Sequence, residues 1–278
     1  MINFKNNLKD IISESSKFLK ETNIINAKKE LEWFCQLFLK FSIEDIHLKQ
    51  IYLNKKEIKL IKNFINRRTQ KEPFQYIVNS APFLDYDFVV NSKVLIPRPE
   101  TEIIFKVLKN RFFKTALDIG TGSGNIAISL KLKNIANSIT AIDCDADALS
   151  VAQLNANNLN VKNIDFQQVD IFNYQSVDKY DLVVSNPPYI SQKDYKNLPH
   201  HIRNYEPQNS LTDGKDGYSF YEYFANNMNL FLKPEGVMIL EIGLENTKTK
   251  IEKLFKNASN LIWHKDYNNN FRILEINV

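Results

Sequence analysis

The run Leu182-Val183-Val184 ends in Asn186-Pro187-Pro188-Tyr189, and these residue types in this order suit the handling of a planar nitrogen. An amide or aromatic amine has its nitrogen lone pair delocalised and attacks a methyl donor poorly. Acceptors set against both N–H groups would orient the nitrogen and favour its pyramidal, attacking form. Asn186 offers a side-chain oxygen and Pro187 a backbone carbonyl; proline also fixes φ near −65° and adds no competing N–H. Tyr189 can stack on the flat group and keep water out. Much of the acceleration is then positioning. No strong base is needed, because an alkylated, positively charged amide loses its proton readily. An ordinary Asn-Pro turn explains Asn186 and one proline, but it does not require a second proline and a tyrosine.

A donor site is legible upstream. LDIGTGSGNIAI (117–128) puts a tight glycine turn between an apolar strand and a helix. In such a turn Gly120, Thr121, Gly122, Ser123 and Gly124 let the backbone approach a ligand that a Cβ would hold off. The following strand ends at Asp143, about 20 residues on, where an acid can bind ribose hydroxyls. Asp170 follows the third strand at the same sheet edge, so that an adenine could sit beside Ile171; alone, Asp170 reads equally well as a turn cap. The run GTGSG departs from the dinucleotide GxGxxG pattern, and no GKS or GKT follows, which excludes a phosphate-cradling loop. An adenosyl cofactor without a pyrophosphate fits better.

The elements that must position these residues alternate. TALDI, SITAID, DFQQV, DLVVS and GVMILEI read as strands, and NIAISLKLK, DADALSVAQLNANN, GYSFYEYFANNMNLFL and ENTKTKIEKLF as helices. LIWHK and FRILEIN form a closing hairpin around Asp266 to Asn270. Such alternation predicts an α/β fold, mostly parallel with an antiparallel end. Before it, residues 1–72 read as a small all-α domain, 73–100 as a linker holding a β-hairpin, and 101–278 as the domain of the strands, with a helix from about Thr101 to Lys109. Within the first region, Asn54 with Glu57 and Ser42 with Asp45 have capping-box spacing. Leu31, Phe34, Cys35 and Phe38 share one helix face, as do Ile58, Ile61, Phe64 and Ile65; both faces are expected in the core.

Composition narrows the class further. Glycine is scarce, seven in 278 residues, so three of them within 120–124 carry weight. Neither the two cysteines nor the four histidines show metal spacing, and no metal is expected. No apolar run reaches the ~18 residues of a membrane span, and the first residues lack the order of a signal peptide, so a cytoplasmic location is expected. Residues 1–80 carry 15 basic and 9 acidic side chains, a surplus of six that leaves the remainder at −2 of the chain's +4. The dense part, 55–68, reads first as a solvated helix face and second as a docking surface.

With these motifs in place the chain resembles class I methyltransferases that use S-adenosylmethionine and modify planar nitrogens. EPFQYI (72–77), VLIPRPETE (94–102), LDIGTGSG (117–124), SNPPYI (185–190) and the segment Glu206 to Gly217 are similar to the HemK-type release-factor glutamine methyltransferases over nearly the whole chain. The resemblance implies a Rossmann-like catalytic domain with a seven-stranded mixed sheet behind a helical N-terminal domain. It also implies transfer of a methyl group from S-adenosyl-L-methionine to the glutamine amide of the Gly-Gly-Gln motif in peptide chain release factors, with S-adenosyl-L-homocysteine as product. Gly120 to Gly124, Asp143, Asp170, Ile171 and Asn186 would hold the cofactor, and Asn186, Pro187, Pro188 and Tyr189 the glutamine. A monomer acting on a protein, with no direct nucleic acid or membrane partner, is expected, and 55–68 could contribute to docking. The chain departs from the family where glycines are usual: at Asn79, Asp85, Glu235 and before Arg272; Ile171 replaces an aromatic often found beside adenine. Competing readings are a glutamine methyltransferase acting on a ribosomal protein, a nucleic-acid amino-methyltransferase, and a nucleotide-binding module without turnover.

Overall fold

Side-chain caps at Asn7, Ser42 and Asn54 set three of the helix starts of the N-terminal region. In the computed structural model, which describes residues 6–174, 178–244 and 247–278, the chain divides into two units, Met1–Asn79 and Ser80–Val278. The first contains α1 (Leu8–Glu21), α2 (Ala27–Leu39), α3 (Ile43–Leu48), α4 (Lys55–Thr69) and α5 (Phe74–Val78). Both expected capping boxes form. Asn54 Oδ1 accepts from the N–H groups of Lys56 (2.9 Å) and Glu57 (3.1 Å), and Glu57 returns a carboxylate to the Asn54 N–H at 2.7 Å. Ser42 and Asp45 make the same exchange.

Leu31, Phe34, Cys35, Ile61, Phe64 and Ile65 are buried together, with Ile58 packed at the edge. Phe38 departs from the expected core: it is 41% exposed and stacks on Phe34 from outside, centroids 4.6 Å apart. The basic run divides. Lys55, Lys56, Lys59 and Lys62 are exposed on α4, but Arg68 is buried and bonded through Nε to Glu30 at 2.7 Å, fastening α4 to α2. Arg67 is taken by Glu72. The head of the expected linker, Phe74–Val78, is helical and belongs to this first unit, with Asn79 in the left-handed region (φ 53°) as its C-cap.

The second unit opens with a hairpin, β1 (Ala81–Phe83) and β2 (Tyr86–Phe88). Its left-handed residue is Leu84 (φ 53°) and not Asp85. The helix expected from Thr101 is shorter and mixed: a 3₁₀ turn spans Pro99–Glu102, which the prolines favour, and α6 is Ile103–Val107. There follow β3 (Phe113–Ile119), α7 (Asn125–Leu132), β4 (Ala136–Asp143), α8 (Ala146–Asn158), β5 (Ile164–Gln168) and β6 (Tyr180–Ser185). Short helices α9 (Gln192–Tyr195) and α10 (His200–Tyr205), not read from the sequence, precede α11 (Ser219–Phe231). The chain closes with β7 (Leu232–Glu241), α12 (Lys248–Leu254), β8 (Asn260–Lys265) and β9 (Phe271–Asn277). Glu245 and Asn246, read as the start of the helix at α12, lie outside the described residues.

The seven-stranded sheet runs β5-β4-β3-β6-β7-β9-β8, parallel except for β9, which is antiparallel to both neighbours. Successive residues of a strand point to opposite faces, and the core divides accordingly. Ala116, Leu182, Val184 and Ile239 face the hairpin, α6 and α7, whereas Leu117, Val183, Met238 and Leu240 face α11 and α12. Gly124 caps α7 at φ 79°, and a Cβ there would stand 2.9 Å from Ile128 Cδ1 and 3.1 Å from Ala152 Cβ. Gly124→Ala should therefore cost about 1–3 kcal/mol, from left-handed backbone and overpacking together. Urea denaturation checks it; an unchanged midpoint would show that α7 and α8 separate freely.

Candidate active site

The order of strands along the sheet reverses between β3 and β6, the switch point outside which ligands bind in open α/β sheets. The pairing is in register, with Ile119 opposite Ser185, so Gly120 and Asn186 leave the sheet side by side. Ser185 Oγ donates to the Ile119 carbonyl at 2.8 Å, tying the two strand ends together in the core. On the other flank Ser185 pairs with Leu240, which brings the end of β7 and its Glu241 alongside.

One cavity occupies this edge. Gly120, Thr121, Gly122 and Ser123 line it, as do Asp143, Asp170 and Ile171. Asn186, Pro187 and Pro188 form part of the same wall. The expected residues of donor and acceptor are thus brought together, with two exceptions. Gly124 lies behind the loop as the cap of α7, and Tyr189 does not line the cavity. The Tyr189 hydroxyl turns away and donates to Glu241 Oε1 at 3.2 Å. Burial, then the charge of Glu241, pushes its pKa up, so it stays a neutral donor.

The glycine loop is held from two sides. Asp143 accepts from the Gly122 N–H (2.9 Å) through Oδ2 and from the Asp145 N–H (3.0 Å) through Oδ1, which leaves acceptor capacity on both oxygens. Burial pushes its pKa up, against those hydrogen bonds. Asp170 caps the short turn after it, its Oδ1 accepting from the Phe172 N–H, and lines the cavity as well. Ile171 is buried, and Phe220 at the head of α11 brings an aromatic ring to the cavity wall.

Several residues of the site were not legible as such. Asn155 clamps the loop to the segment after β2: it accepts from the Val89 N–H and donates to the carbonyls of Val89 (3.0 Å) and Ser123 (2.9 Å). Its signal was a buried amide inside an otherwise apolar helix face. Asp118 lies under the loop in β3, its Oδ2 accepting from the Thr121 hydroxyl at 2.7 Å and the Ala127 N–H at 3.1 Å. An acid within LDI was the visible sign. Glu241, likewise an acid closing the apolar run Val237–Leu240, accepts from the Thr101 hydroxyl at 2.7 Å, and Asn186 Nδ2 donates to Thr101 Oγ1 at 3.2 Å. Arg98, at the cavity wall, donates to both oxygens of Glu206 (2.6 and 2.8 Å), joining the two stretches on either side of it. Among the described residues no group of three or more His, Cys, Asp or Glu could hold a metal ion, and no helix is long and apolar enough to cross a membrane.

In chain order the sheet runs three-two-one-four-five-seven-six, with a glycine loop after its first strand, an acid after its second and Asn-Pro-Pro-Tyr after its fourth. This is the architecture of a class I methyltransferase, preceded here by a helical N-terminal unit. Residues 99–207 match the Methyltransferase small domain, and residues 10–78 match the PrmC N-terminal domain. A release factor glutamine methyltransferase of Fusobacterium nucleatum is 32% identical over 280 residues, spanning 98% of this chain and 79% of that protein. Its counterpart in Bacillus subtilis is 38% identical over 215 residues, 73% of this chain and 74% of the relative. A crystal structure of a methyltransferase from Pyrococcus furiosus superposes with a TM-score of 0.54 at 19% identity, over 81% of this chain and 98% of that one, a likeness of fold. The chain belongs to the release factor glutamine methyltransferase family, and it is an enzyme of the methyltransferase class.

Burial pushes the Asp118 carboxyl up to about 7, against the Thr121 and Ala127 hydrogen bonds and with the Asp143 charge adding to it. An unfolded chain ionises this group near pH 4. The folded state therefore holds the extra proton between about pH 4 and 7, and stability falls as pH rises through that window. Asp118→Asn keeps an acceptor for Thr121 and Ala127 and should flatten this slope. Denaturant titrations of both proteins across that range check it; parallel curves would mean that Asp118 ionises as readily folded as unfolded.

Proposed function

We propose that this chain transfers the methyl group of S-adenosyl-L-methionine to the side-chain amide nitrogen of the glutamine in the Gly-Gly-Gln motif of peptide chain release factors. The observation that carries this is the sharing of one cavity wall by Asn186-Pro187-Pro188 and the loop Gly120–Ser123. Acceptors suited to a planar nitrogen stand where a nucleotide-type loop opens, and the family relationship supports a release factor as the substrate.

The residues present fit the cofactor. Gly120 and Gly122 have φ of 74° and 55°, and nothing lies within 4 Å of where a Cβ on either would stand, so the backbone meets open space. Asp143 retains acceptor capacity for ribose hydroxyls, and Asp170 stands at the same wall. Ile171 and Phe220 offer apolar surface to a purine. When bound, S-adenosylmethionine supplies a methyl group on a positively charged sulfur and leaves as S-adenosyl-L-homocysteine, with no metal required. The chain's own part is orientation: the Asn186 side-chain oxygen and the Pro187 carbonyl accept from the two N–H groups of the glutamine, and Tyr189 anchors the turn through its hydroxyl on Glu241. The proposed setting is a cytoplasmic monomer with a protein substrate, for which the exposed lysines of α4 offer a docking face.

The test is transfer of labelled methyl groups to purified release factor with peptide mapping, alongside ribosomal protein and nucleic acid. One methyl on the Gly-Gly-Gln glutamine, lost when that residue is replaced, is the expected result; label on another substrate alone would overturn it. Asn186→Ala should lower kcat by roughly 10²–10³, as does the deletion of one positioned transition-state hydrogen bond elsewhere. A rate near that of the unaltered protein would leave Asn186 with only the shape of the turn.

A further inference from the structure

Asn186 carries a carbonyl and an NH₂ on one planar group, and only one of the two orientations presents an oxygen to a substrate N–H. What decides between them lies outside the Asn-Pro-Pro-Tyr segment. We propose that Thr101 and Glu241 are positioning residues that fix the direction of the Asn186 amide through one polarised chain of hydrogen bonds. The proposal rests on the glutamine reading of the site given above.

The chain starts from Glu241, a fully buried side chain at the end of β7 that does not line the cavity. It receives two hydroxyls, Thr101 at 2.7 Å on Oε2 and Tyr189 at 3.2 Å on Oε1. Burial pushes its pKa up, with the charge of Glu100 adding to it, against the Thr101 and Tyr189 donors and the nearby Arg272 charge; with a hydroxyl donor on each oxygen, the geometry is that of a side chain accepting on both. A carboxylate only accepts, so the single proton of the Thr101 hydroxyl is committed to Glu241. Thr101 Oγ1 then has only lone pairs to offer on its other side. The Asn186 group facing it at 3.2 Å must therefore be Nδ2, as observed. Because the amide is planar, Nδ2 on Thr101 sets Oδ1 on the opposite branch, free to accept from the substrate nitrogen. A flipped amide would set NH₂ against N–H, replacing an attractive contact with two opposed donors.

Sheet register supplies the geometry without any special loop. Ser185 pairs with Leu240, so the next residues on the two strands, Asn186 and Glu241, emerge as neighbours, and Thr101 bridges them from the 3₁₀ turn that Pro99 begins. The Tyr189 hydroxyl feeds the same carboxylate from the far end of the motif, which accounts for its turning away from the cavity.

Thr101→Val keeps the shape of the side chain and removes the hydroxyl; Thr101→Ser restores it. Glu241→Gln keeps the size and introduces a donor that can reverse the chain. With release factor as substrate, Thr101→Val and Glu241→Gln should each lower kcat by about tenfold or more, less than outright loss of the Asn186 oxygen. KM for release factor and the calorimetric Kd for S-adenosylmethionine should stay within about twofold, and Thr101→Ser should recover most of the rate. In cofactor-free protein, the Asn186 side-chain amide resonance should move in both Thr101→Val and Glu241→Gln. Transfer by unaltered protein with an unimpaired Thr101→Val variant would overturn the positioning role alone, and so would a loss expressed only in cofactor affinity. Absence of transfer to release factor by the unaltered protein would overturn the substrate reading and this role with it.

Discussion

The in-register parallel pairing of β3 with β6 is the constraint from which the rest of the site follows. It places Ile119 beside Ser185, and the next residue on each strand opens a different half of the site: Gly120 the nucleotide-type loop, Asn186 the acceptor turn. A slip of one residue would exchange the two faces of β6, sending Val183 and Val184 to the wrong cores and moving Asn186 off the cavity. Burial therefore enforces the register that sets Gly120 and Asn186 side by side. The Ser185–Ile119 hydrogen bond adds a local tie where the ladder ends and backbone pairing no longer holds the strands together.

Two acids buried in this sheet serve orientation. Asp118 in β3 braces the glycine loop through Thr121 and the start of α7 through Ala127. Glu241 in β7 braces the acceptor turn through Thr101 and Tyr189. Both are pushed toward their neutral forms by burial, so each carries a cost in stability that an apolar residue of similar volume would avoid. Their presence at the carboxyl ends of strands that flank β6 on either side fits a sheet whose edge is arranged for binding while its middle is packed for stability.

Much of the site was legible because its signals are local. An apolar run closed by Asn-Pro-Pro-Tyr, glycines concentrated in a glycine-poor chain, and an acid ending the next strand are each read within a few residues. An element such as α11, whose Tyr221, Phe224, Met228 and Phe231 recur at helical spacing, was legible for the same reason. What escaped depends on contacts across the chain. Thr101 and Glu241 lie 140 residues apart and nothing near either marks the pairing. Arg68 looked like one more charge on a solvated face until Glu30, 38 residues away, placed it in the core. Phe38 sat at helical spacing with true core residues, yet α2 ends one residue after it, where there is too little to cover its ring. Leu84, and not Asp85 where the resembled family usually has glycine, takes the left-handed position of the hairpin turn, because strand pairing sets which residue of the turn it falls on.

The acceptor turn is also held from outside its own strand, which bears on how its geometry is kept. The Ile190 N–H donates to the Leu211 carbonyl and the Gln192 N–H to the Lys215 carbonyl, so the segment after the motif is pinned to the loop before α11. That loop is shaped by Asp213, whose carboxylate accepts from the N–H groups of Lys215, Gly217 and Ser219. Gly217, at φ 83°, passes so close to the motif that a Cβ would stand 2.3 Å from the Tyr189 carbonyl. In the proposed reaction a turn whose acceptors are a proline carbonyl and an amide does little by acid–base chemistry, so its contribution has to come from being in place before the substrate arrives. The strand end fixes one side of the motif, the Asp213 loop fixes the other, and the hydrogen bonds from Glu241 through Thr101 reach the Asn186 amide between them.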